Sequence, residues 1–169
     1  MGEGERLPQV SIVSLAVEDP TSADAQWCFA QYFAELDSRF EGGFDPALSI
    51  SADAKELTPP FGLLLIARLH CQPVGCGALK FHGERPAELK RMWIAPSARG
   101  LGLGRRLLEE LERHARDAGV GVLRLETNRA LSEAIALYRR SGYVEVDAFN
   151  DEPYAHHWFE KRLIPSGEV

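Results

Sequence analysis

Cysteine is scarce in this 169-residue chain and comes in an odd number: Cys28, Cys71 and Cys76, with no Cys-x-x-Cys pair. A disulfide framework is thereby excluded, and the thiols read as reduced, in a reducing compartment. Long apolar runs are missing as well. Nothing approaches the roughly 18 residues of a membrane-spanning helix, and the opening "MGEGERLPQ" is too polar for a signal peptide. Met1-Gly2 superficially suggests myristoylation, but Arg6 stands where Ser or Thr is expected. Positive charge is in deficit: 19 Lys and Arg against 25 Asp and Glu give a net charge of -6, unlike the basic surface of a general nucleic-acid binder. Adjacent His156 and His157 would point to opposite faces of a regular strand and have no third ligand at a useful spacing, so no metal site is expected. The expectation is a cytoplasmic protein with no membrane, nucleic-acid or metal partner.

What is present is the composition of a globular domain, 45% hydrophobic and 26% charged, of a length suited to one domain. Apolar runs and turn signals alternate along it. A strand is expected over Val10–Val17, then a helix opened by Pro20 and Thr21-Ser22 and running to about Arg39. Residues 41–60 carry several Pro and Gly breakers and read as a loop with at most a short helix. "FGLLLIARLH" and "PVGCGALKFH", separated by Cys71-Gln72, suggest a hairpin, and "AELKRMWIA" a further strand. Leu103–Ala118 has leucines at helical spacing and a stop at Gly119. "VGVLRLET" reads as a strand, "SEAIALYRR" as a helix closed by Gly142, and "YVEVDAF" and "HHWFEKRL" as the last two strands. Antiparallel strands followed by a βαβ unit imply one α/β domain over residues 1–169, with a mixed, mostly antiparallel sheet of six to seven strands flanked by helices. Cys71 and Cys76 read as β-core thiols rather than nucleophiles. Glu109, Glu110, Glu112 and Arg113 read as a solvated helix face.

The informative stretch is "RMWIAPSARGLGLGRRLLEEL", Arg91 to Leu111. A strand, a turn with three glycines in five residues and a helix form a generic anion cradle, because free N–H groups and the helix dipole both favour phosphate. No Gly-Lys-Ser/Thr follows, so it is no Walker A loop. The third glycine comes two residues after the second, not three, so the dinucleotide fingerprint fails too. Arg99, Arg105 and Arg106 tip the reading from a bare tight turn to a polyphosphate site.

"RGLGLG", Arg99 to Gly104, resembles the Arg/Gln-x-x-Gly-x-Gly/Ala signature of the GCN5-related N-acetyltransferases, the GNAT superfamily. "AELKRMWIAP" resembles the family's central strand, "LETN" with "AIALYRRSGY" its second motif, and "PYAHHWFEKRL" the closing strand of one bacterial subgroup. The resemblance spans about residues 61–163 and is weak over 1–60, where the family varies and builds its acceptor site. It implies acetyl-coenzyme A as cosubstrate, held without metal by the backbone of Arg99, Gly100, Leu101, Gly102, Leu103 and Gly104 with help from Arg105. Main-chain groups of Met92, Trp93 and Ile94 would pair with the pantetheine arm as another strand would, and Asn128 would hydrogen-bond the same arm.

Acetyl transfer to an amine needs a base for the ammonium proton and a proton for the leaving thiolate. Glu88, eleven residues before Arg99, matches the place where many family members carry a catalytic glutamate; pairing with Arg85, Lys90 or Arg91 is its structural alternative. Tyr138 matches the family tyrosine that serves the thioester sulfur. Tyr154, His156 or His157 could line the acceptor pocket. The implied function is acetyl transfer to a primary amine of a small molecule or peptide. A catalytically weak coenzyme A-binding regulatory or accessory domain is the alternative, and dimers are common in the family.

Overall fold

Apolar and β-branched residues decide where the sheet runs. The computed structural model describes residues 12–164. They form a seven-stranded sheet in the order β1-β2-β3-β4-β5-β7-β6. The strands are β1 (Val13–Val17), β2 (Gly62–Leu69), β3 (Gln72–His82), β4 (Arg85–Ile94), β5 (Val122–Thr127), β6 (Val144–Val146) and β7 (His157–Arg162). The strand expected from Val10 starts at Val13, and residues 10 and 11 lie outside the described residues. Neighbouring strands are antiparallel except β4 and β5. A parallel pair needs a crossover, and α2 (Leu103–Asp117) supplies it.

Helix α1 (Ala23–Arg39) starts at Ser22, whose hydroxyl accepts from the Ala25 N–H, and α3 spans Ser132–Arg140. The period-two alternation of the strands sorts the core into two layers. Leu107, Leu108 and Leu111 of α2 pack on Leu79, Leu89, Leu123 and Phe159. Across the sheet, Ala25, Cys28 and Phe29 of α1 pack on Leu64, Ile66, Cys76 and Trp93. Residues 41–60 hold one short 3-10 turn, Pro46–Leu48.

Two expectations are corrected. The β2–β3 hairpin turns through His70 and Cys71, both with positive φ (49° and 67°), the geometry of a tight two-residue hairpin. Cys71 is therefore an exposed turn residue, whereas Cys76 is a core thiol as expected. Glu112 does not belong to the solvated face of α2; it is 4% exposed. It accepts hydrogen bonds from the Tyr143 hydroxyl (2.8 Å) and from Lys161 Nζ (3.0 Å), which offset part of the cost of burying a carboxylate. The rest of that face is solvated, with ion pairs such as Arg105–Glu109 and Arg113–Asp117.

The feature that positions the site is the short β4–β5 pairing. Its register covers only Ala87–Leu123 and Glu88–Arg124. Beyond those pairs the strands diverge, and a wedge opens in the middle of the sheet.

Candidate active site

The wedge is floored by the glycine turn. Gly100 and Gly102 have φ of 85° and 75°, a left-handed conformation that L side chains rarely adopt. A Cβ at either would meet nothing within 4 Å, whereas one at Gly104 would come within 3.2 Å of Leu137 Cδ2. So the first two glycines answer to backbone conformation and the third to packing of α2 on α3. Gly102 caps α2 with no side-chain acceptor, and the first turn holds no acidic residue. The leading N–H groups of the helix are left for an anion.

Above this turn lies a cavity of about 810 Å³. Of the residues predicted for the cofactor, Met92, Trp93, Ile94, Arg99, Gly100, Gly102, Leu103, Gly104 and Arg105 line it; Leu101, 59% exposed, does not. Arg99 is less free than its motif suggests. Its Nη2 contacts both Glu35 oxygens (2.6 and 2.8 Å) and its Nε donates to the Ile94 carbonyl. Arg105 pairs with Glu109. Arg39 and Arg140 complete a lining of four arginines against two glutamates, Glu35 and Glu133, so the mouth is net positive. An uncapped helix start, open space at Gly100 and Gly102 and this arginine excess fit an elongated polyphosphate ligand such as coenzyme A.

A second cavity, of about 110 Å³, adjoins the first and shares Tyr32, Leu36, Met92, Leu131 and Ala134 with it. Tyr138 and Asn128 line it. Tyr138 is buried, and burial first, then the charge of Glu126, pushes its phenol pKa well above the ordinary value. The phenol therefore keeps a proton that it can donate. Asn128 is occupied: its Nδ2 donates to the Tyr154 carbonyl (2.7 Å) and its Oδ1 accepts from Ala130 N (2.9 Å). Tyr154 lines the cavity, its hydroxyl accepting from Asp45 N. His156 and His157 line neither cavity; the ring nitrogen of one accepts from Arg129 N, and the other lies 3.0 Å from Glu145.

Glu88 lines neither cavity. Its carboxylate lies 3.2 Å from His82 Nε2 and 3.7 Å from Lys90 Nζ. Lys90 in turn donates to Glu126 Oε1 at 2.8 Å, with both side chains 9% exposed. Glu126 does line the small cavity, and its Oε2 is buried without a partner among the described residues. Sequence reasoning missed this carboxylate, although the alternation of "VLRLET", with Leu123 and Leu125 in the core, sets Glu126 on the opposite face. It also missed Tyr32, which lines both cavities and whose phenol is likewise pushed up by burial.

Residues 25–143 match the family model described as Acetyltransferase (GNAT) family. An IAA acetyltransferase of Azospirillum brasilense is 40% identical over 144 residues, covering 84% of this chain and 90% of its own. The N-alpha-acetyltransferase RimI of Mycobacterium tuberculosis is 36% identical over 129 residues, 75% of this chain and 76% of its own. A solved Klebsiella pneumoniae structure of the acyl-CoA N-acyltransferase kind superposes with a TM-score of 0.77 at 32% identity, covering 91% of this chain and 99% of the other. The wedge, its glycine floor and these likenesses agree: the chain belongs to the GNAT family and is an acetyl-CoA-dependent acyltransferase.

Proposed function

We propose that the protein transfers acetyl from acetyl-coenzyme A to the primary amine of a small molecule or peptide by direct attack. The observation that carries this reading is the meeting of Tyr138 and Glu126 in one small cavity that opens into the larger one above the glycine turn. The first N–H groups of α2, with Arg105 and Arg140 near them, would hold the pyrophosphate. Main-chain groups of Met92, Trp93 and Ile94, left without a β5 partner where the strands part, would hold the pantetheine arm.

Bound acetyl-coenzyme A supplies an activated thioester; the remaining work is proton management. An amine attacks only when neutral. In this reading the Glu126 carboxylate, with a partnerless oxygen beside the cavity, takes the ammonium proton. Glu88, joined to Glu126 by their shared partner Lys90, can take the ammonium proton in its place through water. As the new C–N bond forms and the C–S bond breaks, the Tyr138 hydroxyl is the donor for the departing thiolate. The small cavity is open space rather than filled by side chains, which favours an enzyme over a binding domain with lost activity.

The test is an amine panel with acetyl-coenzyme A, read as free thiol released. Turnover above the hydrolytic background on at least one amine is expected. Coenzyme A binding with no transfer to any amine would instead establish the binding domain.

A further inference from the structure

Arg91 stands out on the acceptor side because its backbone, partners and position are all unusual. It sits in β4 with φ of 52°, a left-handed conformation that a glycine would favour. The cause is a β-bulge: Cys76 faces Trp93 and Ala78 faces Lys90, so the single residue Gly77 opposes both Arg91 and Met92. Without the bulge, alternation would send Arg91 to the α2 face with Ala87 and Leu89. Instead Met92 packs on that layer, and Arg91 turns to the α1 face, beside Lys90.

There its guanidinium lies 4.4 Å from the ring centre of Phe29 and 5.4 Å from that of Phe33. Nη2 donates to the Ala52 carbonyl (2.7 Å) and to Ser51 Oγ (3.1 Å). Among the described residues no carboxylate lies within ion-pair distance of it, whereas Lys90 is held by Glu126 and Glu88. A guanidinium has five N–H donors; the two on Nη2 are taken, while Nε and Nη1 have no acceptor among the described residues. Arg91 lines the small cavity. The other carboxylate there, Glu152, is occupied by the Ser49 hydroxyl and the Ile50 and Tyr154 N–H groups. A guanidinium that lies over aromatic rings, pairs with no carboxylate among the described residues and keeps donors on Nε and Nη1 is matched by a carboxylate.

We propose that Arg91 binds the carboxylate of the acceptor, so that the acceptor is a free amino acid with an apolar side chain and not a simple amine or a peptide end. The aromatic walls, Phe33, Phe40 and Phe44, supply the apolar contact. This inference rests on the acetyl-transfer reading above.

The experiment compares L-leucine and L-phenylalanine with their C-terminal amides, which keep the amine and side chain and lose only the charge. Wild-type protein should prefer the free acids by roughly 10- to 100-fold in kcat/KM, mostly in KM, the range for charge-assisted hydrogen bonds. Arg91→Gln should erase the preference, lowering kcat/KM on the acids by roughly 10- to 100-fold more than on the amides, and Arg91→Lys should restore part of it. The wild-type comparison stands even if a variant misfolds. A wild-type preference for the amides, for the matching decarboxylated amines or for a tetrapeptide N-terminus would overturn the proposal. So would an Arg91→Gln loss equal on acids and amides. Calorimetric titration of N-acetyl-L-leucine into the coenzyme A complex separates the two readings. Binding in wild type and not in Arg91→Gln, with no amine turned over, keeps the anion site and removes the transfer reading; no binding and no turnover removes both.

Discussion

On the wide side of the wedge, the proposed recognition is a matter of backbone. Gly100 and Gly102 hold left-handed angles, α2 begins without a side-chain cap, and two of the lining arginines, Arg39 and Arg99, are tied to Glu35. On the narrow side it is a matter of side chains: Tyr138, Glu126, Lys90 and Arg91, each held by its own partners or left without one. A backbone cradle serves any ligand with the same phosphates. A side-chain cluster changes with single substitutions, so the narrow side is where chemistry and selectivity should respond to mutation separately from cofactor affinity.

Tyr138→Phe is the strongest way to break that separation. Turnover should fall by roughly 10- to 1,000-fold, given general acid–base contributions of about 10²–10⁴ and partial substitution by water, while coenzyme A affinity, measured by calorimetry, changes little. A large loss of affinity would mean that the tyrosine belongs to the wide side. Because its pKa is pushed upward, the wild-type rate should not decline through the usual phenol range near 10, as a pH–rate profile would reveal.

Glu126→Gln and Glu88→Gln divide the narrow side further. Loss of the base should depress the rate most at neutral pH and recover as rising pH deprotonates the amine unaided. We expect the fuller loss and clearer recovery in Glu126→Gln, with Glu88→Gln smaller by about tenfold or more. Equal, pH-independent losses would make both carboxylates structural.

Gly102→Val tests the wide side alone. A β-branched residue in a left-handed conformation costs at least about 1–2 kcal/mol, and the turn should relax away from the helix start. The rise in melting temperature that coenzyme A gives the wild type should shrink or vanish. An unchanged shift would remove the turn from the binding site.

Tyr143 lines neither cavity, so Tyr143→Phe tests the core alone. Loss of its hydrogen bond to the buried Glu112 carboxylate should reduce stability by about 1.5–3 kcal/mol, with activity of the folded protein intact. The smallest effect belongs to Glu56, whose carboxyl is held below its usual range first by Lys80 and then by the Asp53 N–H. A lowered folded-state value gives stability that is present above the unfolded pKa, about 4.3, and lost as pH falls through the lower folded value. The melting temperatures of wild type and Lys80→Ala should therefore converge on acidification through that window.

Most elements were legible because their signals are local. The α3 helix runs over "SEAIALYRR" as its spacing indicated, and Ser22 caps α1. The glycine turn was legible for the same reason, since φ, caps and free N–H groups are properties of neighbours in sequence. The narrow side was legible only in part, at Tyr138, Asn128 and Tyr154. Arg91 reaches the cavity only through a bulge set by the β3 register, and Glu112 is buried only because Tyr143 and Lys161 come from other elements to meet it. Glu126 fell between: alternation gave its face, but only the divergence of β4 from β5 gives that face a cavity.

That divergence also bears on how the chain avoids sticking to itself. An unpaired strand edge is a template on which another chain can add a strand, and proteins commonly blunt such edges at the rim of a sheet. Here the unpaired lengths of β4 and β5 face one another inside the sheet, and residues of α1 and α3, Leu36 and Ala134, line the opening between them. An approaching strand meets helices before it meets the free amides, while a thin, flexible ligand can slip between. The protein thus keeps an adhesive backbone where a slender molecule can use it and a neighbouring copy cannot.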